Sequence, residues 1–176
     1  MIGSMTELEL TRSRDDRRAY VIDGIGTLRL GGMLSRSATA EAAGGVGGRA
    51  GPWTLGRRGL LRSTFEAVDA AGDVVGEFDP RAFRRGGALR WERATFQLRP
   101  ASAWKERYAL ADDEWELALI EGRAWGKRPV RITLNAPDRV PPGLLLFTAY
   151  IVRALAEDTA SAAGATTAAT SAAVSS

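Results

Sequence analysis

The chain has 176 residues, 26% of them charged, and its 24 Lys and Arg against 21 Asp and Glu leave a formal net charge of +3. It contains no histidine and no cysteine, which excludes thiol nucleophiles, disulfide frameworks, His- or Cys-ligated zinc and Ser-His-Asp catalysis. Carboxylates, tyrosines, hydroxyls, arginines and two lysines, Lys105 and Lys127, are the chemistry that remains. The isoelectric point near 9.8 follows mainly from having nothing that titrates between the carboxylates and the bases. With 45% hydrophobic residues, the length and composition fit one globular domain with a sizeable core. From Met1 to Arg18 no apolar segment of the export type is visible, so a cytoplasmic location is the expectation, with peripheral contact at a membrane surface.

In chain order, Leu8 to Arg12 alternates at period two, within an extension over 1–19 that carries the first strand. Tyr20 to Leu30 reads as strand interrupted by a glycine turn, and 31–52 carries little periodic signal. Gly44 to Pro52 is a glycine-rich connection. Trp53-Thr-Leu55, Leu60 to Val68 and Val74 to Phe78 are extended, with Ala70-Ala-Gly72-Asp73 as a turn. Ala88 to Trp91, Thr95 to Leu98, Trp104 to Leu110, Trp115 to Ile120 and Val130 to Leu134 complete a run of short strands. Strands spaced in this way predict an all-β sandwich or barrel. The pattern around Phe65 to Arg85 partly repeats from Tyr108 to Arg128, as two hairpins of one sheet would.

Pro141-Pro142-Gly143 then opens a run from Leu144 to Asp158. Proline in the first turn suits a helix start, and the spacing predicts a helix over 142–157. At 100° per residue its first three turns have no polar face, so the helix is buried or in a membrane. The uncharged stretch from Val140 to Val152 is shorter than the ~20 residues a span requires. Burial is therefore expected. The 159–176 tail is composed of Ala, Ser, Thr, Gly and Val and is expected to be disordered.

An apolar C-terminal helix following many short strands resembles the tubby C-terminal-like fold, and within it the LURP-one-related proteins and their small bacterial relatives. The residues that carry the resemblance are Val68 to Phe78, Leu117 to Ile132 and Gly143 to Asp158. It implies a closed antiparallel β-barrel of roughly ten to twelve strands around a buried hydrophobic C-terminal helix, as a single domain over 20–158. Tubby-type members are similar to phosphoinositide-binding or scramblase-related proteins, and the family supplies no catalytic constellation to carry over.

Gly122-Arg-Ala-Trp-Gly126-Lys127-Arg128 lacks both the glycine spacing and the Ser or Thr after lysine that a phosphate-binding P-loop requires. Gly44 to Gly48 is followed by no helical pattern and is not a dinucleotide fingerprint. Asp112, Asp113, Glu114 and Glu116 form the densest acidic run. They could hold a hard cation, but aspartates in this setting more often make a hairpin turn. The strongest functional signal is basic residues interleaved with aromatics, around Arg57-Arg58, Arg81 to Trp91, Trp104 to Arg107, and Arg123 to Arg128.

The expected protein is a non-enzymatic binding module without cofactor, metal or catalytic residues. Arg84, Arg85, Arg123, Trp125, Lys127 and Arg128 are its candidate contacts to lipid head groups or an anionic small molecule. Nucleic acid is the less favoured partner, because a net +3 is small for a polyanion binder. A carboxylate- or metal-dependent enzyme, or a protein-interaction scaffold, is the alternative.

Overall fold

A computed structural model describes residues 5–31, 37–44, 51–59, 64–80, 86–102, 107–113, 115–122 and 129–172, with side chains described as far as Thr159. Twelve strands run β1 (Thr6–Arg12), β2 (Ala19–Ile22), β3 (Gly26–Leu30), β4 (Ala38–Ala42), β5 (Trp53–Arg58) and β6 (Thr64–Val68), followed by β7 (Val74–Pro80), β8 (Gly87–Trp91), β9 (Ala94–Ser102), β10 (Arg107–Ala111), β11 (Glu116–Glu121) and β12 (Val130–Leu134). Each pairs antiparallel with its sequence neighbours, and β1 pairs with β12 to close the barrel. One turn of 3-10 helix, Pro137–Arg139, leads into α1 (Pro142–Ala172).

Alternation builds the wall. Leu10 lies opposite Ile22 on one side and Val130 on the other, and all three side chains are buried. The inward residues of neighbouring strands thus share one face. Turn chemistry matches the sequence expectation between β6 and β7: the Asp69 carboxylate accepts from the Ala71 and Asp73 amides, both at 3.0 Å, and Gly72 takes φ +91°. The first strand, read from sequence as part of an extension, is a full barrel strand that seals the wall. β4 falls inside the stretch without periodic signal. Its Ala-Thr-Ala-Glu-Ala sequence has weak strand propensity, but Ala38 and Ala40 face α1 and are small enough to let it approach.

A wall of twelve strands is too wide for its own side chains to fill, and α1 occupies the space. Leu144, Leu145, Leu146, Phe147, Ile151 and Val152 are fully buried, and Tyr150 nearly so. Burial ends at Ala156, and Glu157 and Asp158 are exposed. Aromatic rings form two tiers. Trp53 meets Trp91 edge-on at 5.7 Å, and Trp91 meets Phe147 at 5.8 Å, near the helix start. Phe65 meets Phe78 at 5.8 Å and Tyr150 edge-on at 6.0 Å further along.

α1 runs past the expected end at 157 and continues to Ala172. The disordered tail expected over 159–176 is therefore helical as far as Ala172. It is rich in alanine, the strongest helix former, and has no proline to stop a helix already nucleated inside the barrel. Among the described residues no helix is long and apolar enough to cross a membrane.

Thr148 is the one buried polar side chain among the described residues. Its hydroxyl donates to the Leu144 carbonyl at 2.7 Å, so the group is satisfied within the helix. Thr148→Val is therefore expected to shift stability by no more than about 1 kcal/mol. Thr148→Asn, a larger amide with no partner there, is expected to cost about 3 kcal/mol. Urea unfolding curves of the two variants check both values.

Candidate functional site

Because the wall is an up-and-down meander, its connections fall alternately at two mouths. α1 enters at the upper mouth, beyond the end of β12, and leaves at the lower one. The upper mouth gathers the β2–β3, β4–β5, β6–β7, β8–β9 and β10–β11 connections, together with the segment leading into α1. The lower mouth gathers the β1–β2, β3–β4, β5–β6, β7–β8, β9–β10 and β11–β12 connections. By sequence the lower connections carry twelve Arg and Lys against three Asp and Glu, and the upper ones carry three against eight. By sequence, then, the connections at the two ends differ in charge although the net charge is only +3; at the lower end α1 adds Arg153, Glu157 and Asp158.

The arginines on the wall itself contribute little to this asymmetry. Arg90 meets Glu77 at 2.6 Å, Arg107 meets Glu121 at 3.4 Å and Arg58 meets Glu66 at 3.5 Å, each across adjacent strands. These pairs are the local neutralisation expected when glutamate and arginine share an outer face.

At the lower mouth the described residues form a defined cluster. Trp53, Leu55 and Arg57 alternate on one face of β5, which makes Arg57 the inward residue at the rim. Its side chain is only 12% exposed, and its guanidinium lies over the Phe65 ring at 4.6 Å, a cation–π contact. Both terminal nitrogens reach the Asp158 carboxylate, Nη1 to Oδ1 at 3.2 Å and Nη2 to Oδ2. The Arg57 Nε is buried with no hydrogen-bond partner among the described residues. One helical turn back, Arg153, 21% exposed, pairs with Glu157.

Tyr150 meets Phe65, the ring under Arg57, edge-on at 6.0 Å and precedes Arg153 by three residues on α1. Burial raises its phenol pKa, against the opposing pull of Arg57 and Arg153, and Glu157 adds to the rise. Burial is the larger effect, so the phenol remains a neutral donor at physiological pH.

The upper mouth holds an open cleft of about 610 Å³, lined by Thr95, Phe96, Asp112, Asp113, Leu117 and Arg139 among others. Here the acidic run makes the hairpin turn its residue types favour. The Trp115 amide donates to the Asp112 carboxylate at 2.8 Å, and the Asp112 amide donates to the Trp115 carbonyl at 3.1 Å. The Asp112 carboxylate also receives Arg139. Among the described residues no three carboxylates converge as a metal site would require, and Glu114 lies outside those residues.

The six candidate contacts, Arg84, Arg85, Arg123, Trp125, Lys127 and Arg128, all lie outside the described residues. The strand ends flanking them, Pro80 with Gly87 and Glu121 with Val130, belong to the lower mouth. Sequence reading singled out Arg57 as part of a basic stretch, and Asp158 as the end of the apolar run that begins at Leu144. It did not join them, because Arg57 and Asp158 are 101 residues apart. The signal available was that Arg57 continues the inward face of Trp53 and Leu55. Comparison of the chain with protein-family models, with curated proteins and with solved structures gives no match.

Proposed function

We propose that the protein is a non-enzymatic β-barrel binding module that presents its lower mouth to anionic lipid head groups, as a LURP-one-related or tubby C-terminal-like protein. A twelve-strand barrel threaded by its C-terminal helix supports the family reading. The observation that carries the function is the sequence charge of the connections at the two ends, twelve bases against three acids at the lower, where α1 adds Arg153, Glu157 and Asp158, and three against eight at the upper. An object polarised in this way docks in one orientation, basic end down, on a negative surface.

The affinity would be modest. Near an anionic leaflet each Lys or Arg contributes about 1 kcal/mol. The five bases among the candidate contacts would together give on the order of 5 kcal/mol, a dissociation constant of a few tenths of a millimolar before any specific contact.

Co-sedimentation tests the reading. The protein is expected to pellet with phosphatidylserine-containing vesicles at low salt and not with pure phosphatidylcholine, and to be released as salt is raised. The variant carrying R84E, R85E, K127E and R128E should remain in the supernatant, whereas R93E with R139E, at the upper mouth, should pellet like wild type. Equal loss from both variants, or no pelleting of wild type at low salt, would remove the proposal.

A further inference from the structure

We infer that the lower mouth contains a discrete phosphate-type oxyanion site, built from Arg57 and Arg153 around Tyr150, which the helix's own Glu157 and Asp158 cover. The inference rests on the anion-binding reading of that mouth and adds a located site with its regulation.

In each of the two ion pairs burial is uneven. Arg57 and Arg153 are 12% and 21% exposed, while Asp158 and Glu157 are 58% and 53% exposed. The cations therefore lie deeper, Arg57 on the barrel rim and Arg153 on α1, and the carboxylates lie over them from the solvent side. Arg57 is held by packing on Phe65, independently of Asp158, so its fork would stay in place if the carboxylate left. Its Nε, buried without a partner among the described residues, is a further donor that the Asp158 carboxylate does not take.

Arg57 packs on Phe65 at 4.6 Å, Phe65 meets Tyr150 edge-on at 6.0 Å, and Arg153 follows Tyr150 by three residues on the same face of α1, so the two guanidiniums flank one small region. Two like charges held close together in a partly desolvated rim favour a counter-anion strongly. Planar forks with Tyr150 as a neutral hydroxyl beside them suit a tetrahedral oxyanion of charge between one and two, which offers several acceptor oxygens to bidentate donors. The Asp158 and Glu157 carboxylates are more than half exposed, so an external phosphate group can compete with them for the two guanidiniums from the solvent side. Displacement of the carboxylates would leave the helix free to swing them outward beyond Ala156, where burial ends.

Titration calorimetry with inorganic phosphate on the full chain tests this. E157Q/D158N is expected to bind phosphate at least five-fold more tightly than wild type. E66Q/E77Q, which changes the net charge equally on the outer wall, should stay within two-fold of wild type. Adding R57K to E157Q/D158N keeps the charge but loses the fork, and should return affinity to the wild-type level or below, with an unchanged circular dichroism spectrum reporting that the barrel is intact. Vesicles of phosphatidylcholine with phosphatidic acid then separate the sources: tighter binding of E157Q/D158N to these as well identifies a head group as an accessible ligand, and tighter binding to phosphate alone identifies a soluble one. Equal phosphate affinity of E157Q/D158N and wild type, or an equal gain in E66Q/E77Q, overturns the covered site. If wild type still pellets with phosphatidylserine vesicles in that case, the function proposed above survives without it.

Discussion

A chain ended after Val140 is expected to lose cooperative folding altogether, whereas one ended after Thr159 should melt within about 3 °C of the full protein. The size of the first effect follows from what α1 fills. Leu144, Leu145, Leu146, Phe147, Tyr150, Ile151 and Val152 are all buried against the wall. At about 1.5–3 kcal/mol each, their burial amounts to roughly 10–20 kcal/mol, as an upper estimate because denatured chains are already partly compact. Domains of this size have only about 5–15 kcal/mol of net stability. Their loss would also expose the inward faces of the strands, Leu28, Leu55, Phe78 and Leu89 among them, leaving a barrel lined with wet apolar surface. The second cut keeps Glu157 and Asp158 with their arginine partners. It removes only Ala, Ser, Thr, Gly and Val residues beyond the point where described burial ends. Thermal melts followed by circular dichroism distinguish the two outcomes. A sigmoidal transition from the chain ended at Val140 would mean that the wall closes without its filling, and the central-helix account would fail.

Period-two alternation implied an all-β sandwich or barrel and the helix without a polar face implied its own burial; the closed barrel around that helix came from the family resemblance, and the structure has it. The strand that escaped reading, β4, is alanine at both of its fully buried positions. Its identity depends on the partners at Thr39–Thr54 and Ala40–Trp53 and on the helix behind it, none of which is a local property. The helix end was misjudged for the opposite reason. The segment after Thr159 lacks the apolar bulk that docks a helix, but propagation from an existing helix requires only propensity. The candidate site was legible in its ingredients and not in its geometry. Every basic stretch could be read from the sequence, yet which end of the barrel its connection joins follows from the parity of the strands, which is apparent only once all twelve are counted. Missing β4 alone would have reversed that parity for every later loop.

Gly143→Ala is expected to destabilise the protein by about 3 kcal/mol, although alanine is the better helix former. A Cβ at this position would lie 2.4 Å from Cζ2 of Trp91 and 2.9 Å from both Cη2 and Cζ2 of Trp53. The first turn of α1 therefore enters the barrel between two indole rings, and hydrogen in place of a side chain is the condition for passage. Neither ring has room to retreat. Trp91 is backed by Gly76, where an added Cβ would be 2.8 Å from Cε3, and it also contacts Phe147 and Trp53. The conflict cannot be relieved by a flexible chain end, so the helix must shift or the indoles must leave their rotamers. The two sites are then coupled. Trp91→Phe should by itself be destabilising, through the space it opens, but in the Gly143→Ala background that space receives the new methyl group. The double variant is expected to be more stable than the sum of the single effects by on the order of 1–2 kcal/mol. Urea titrations of the four proteins of the cycle measure that coupling. Simple additivity, or a neutral Gly143→Ala, would show that the helix is not seated between Trp53 and Trp91.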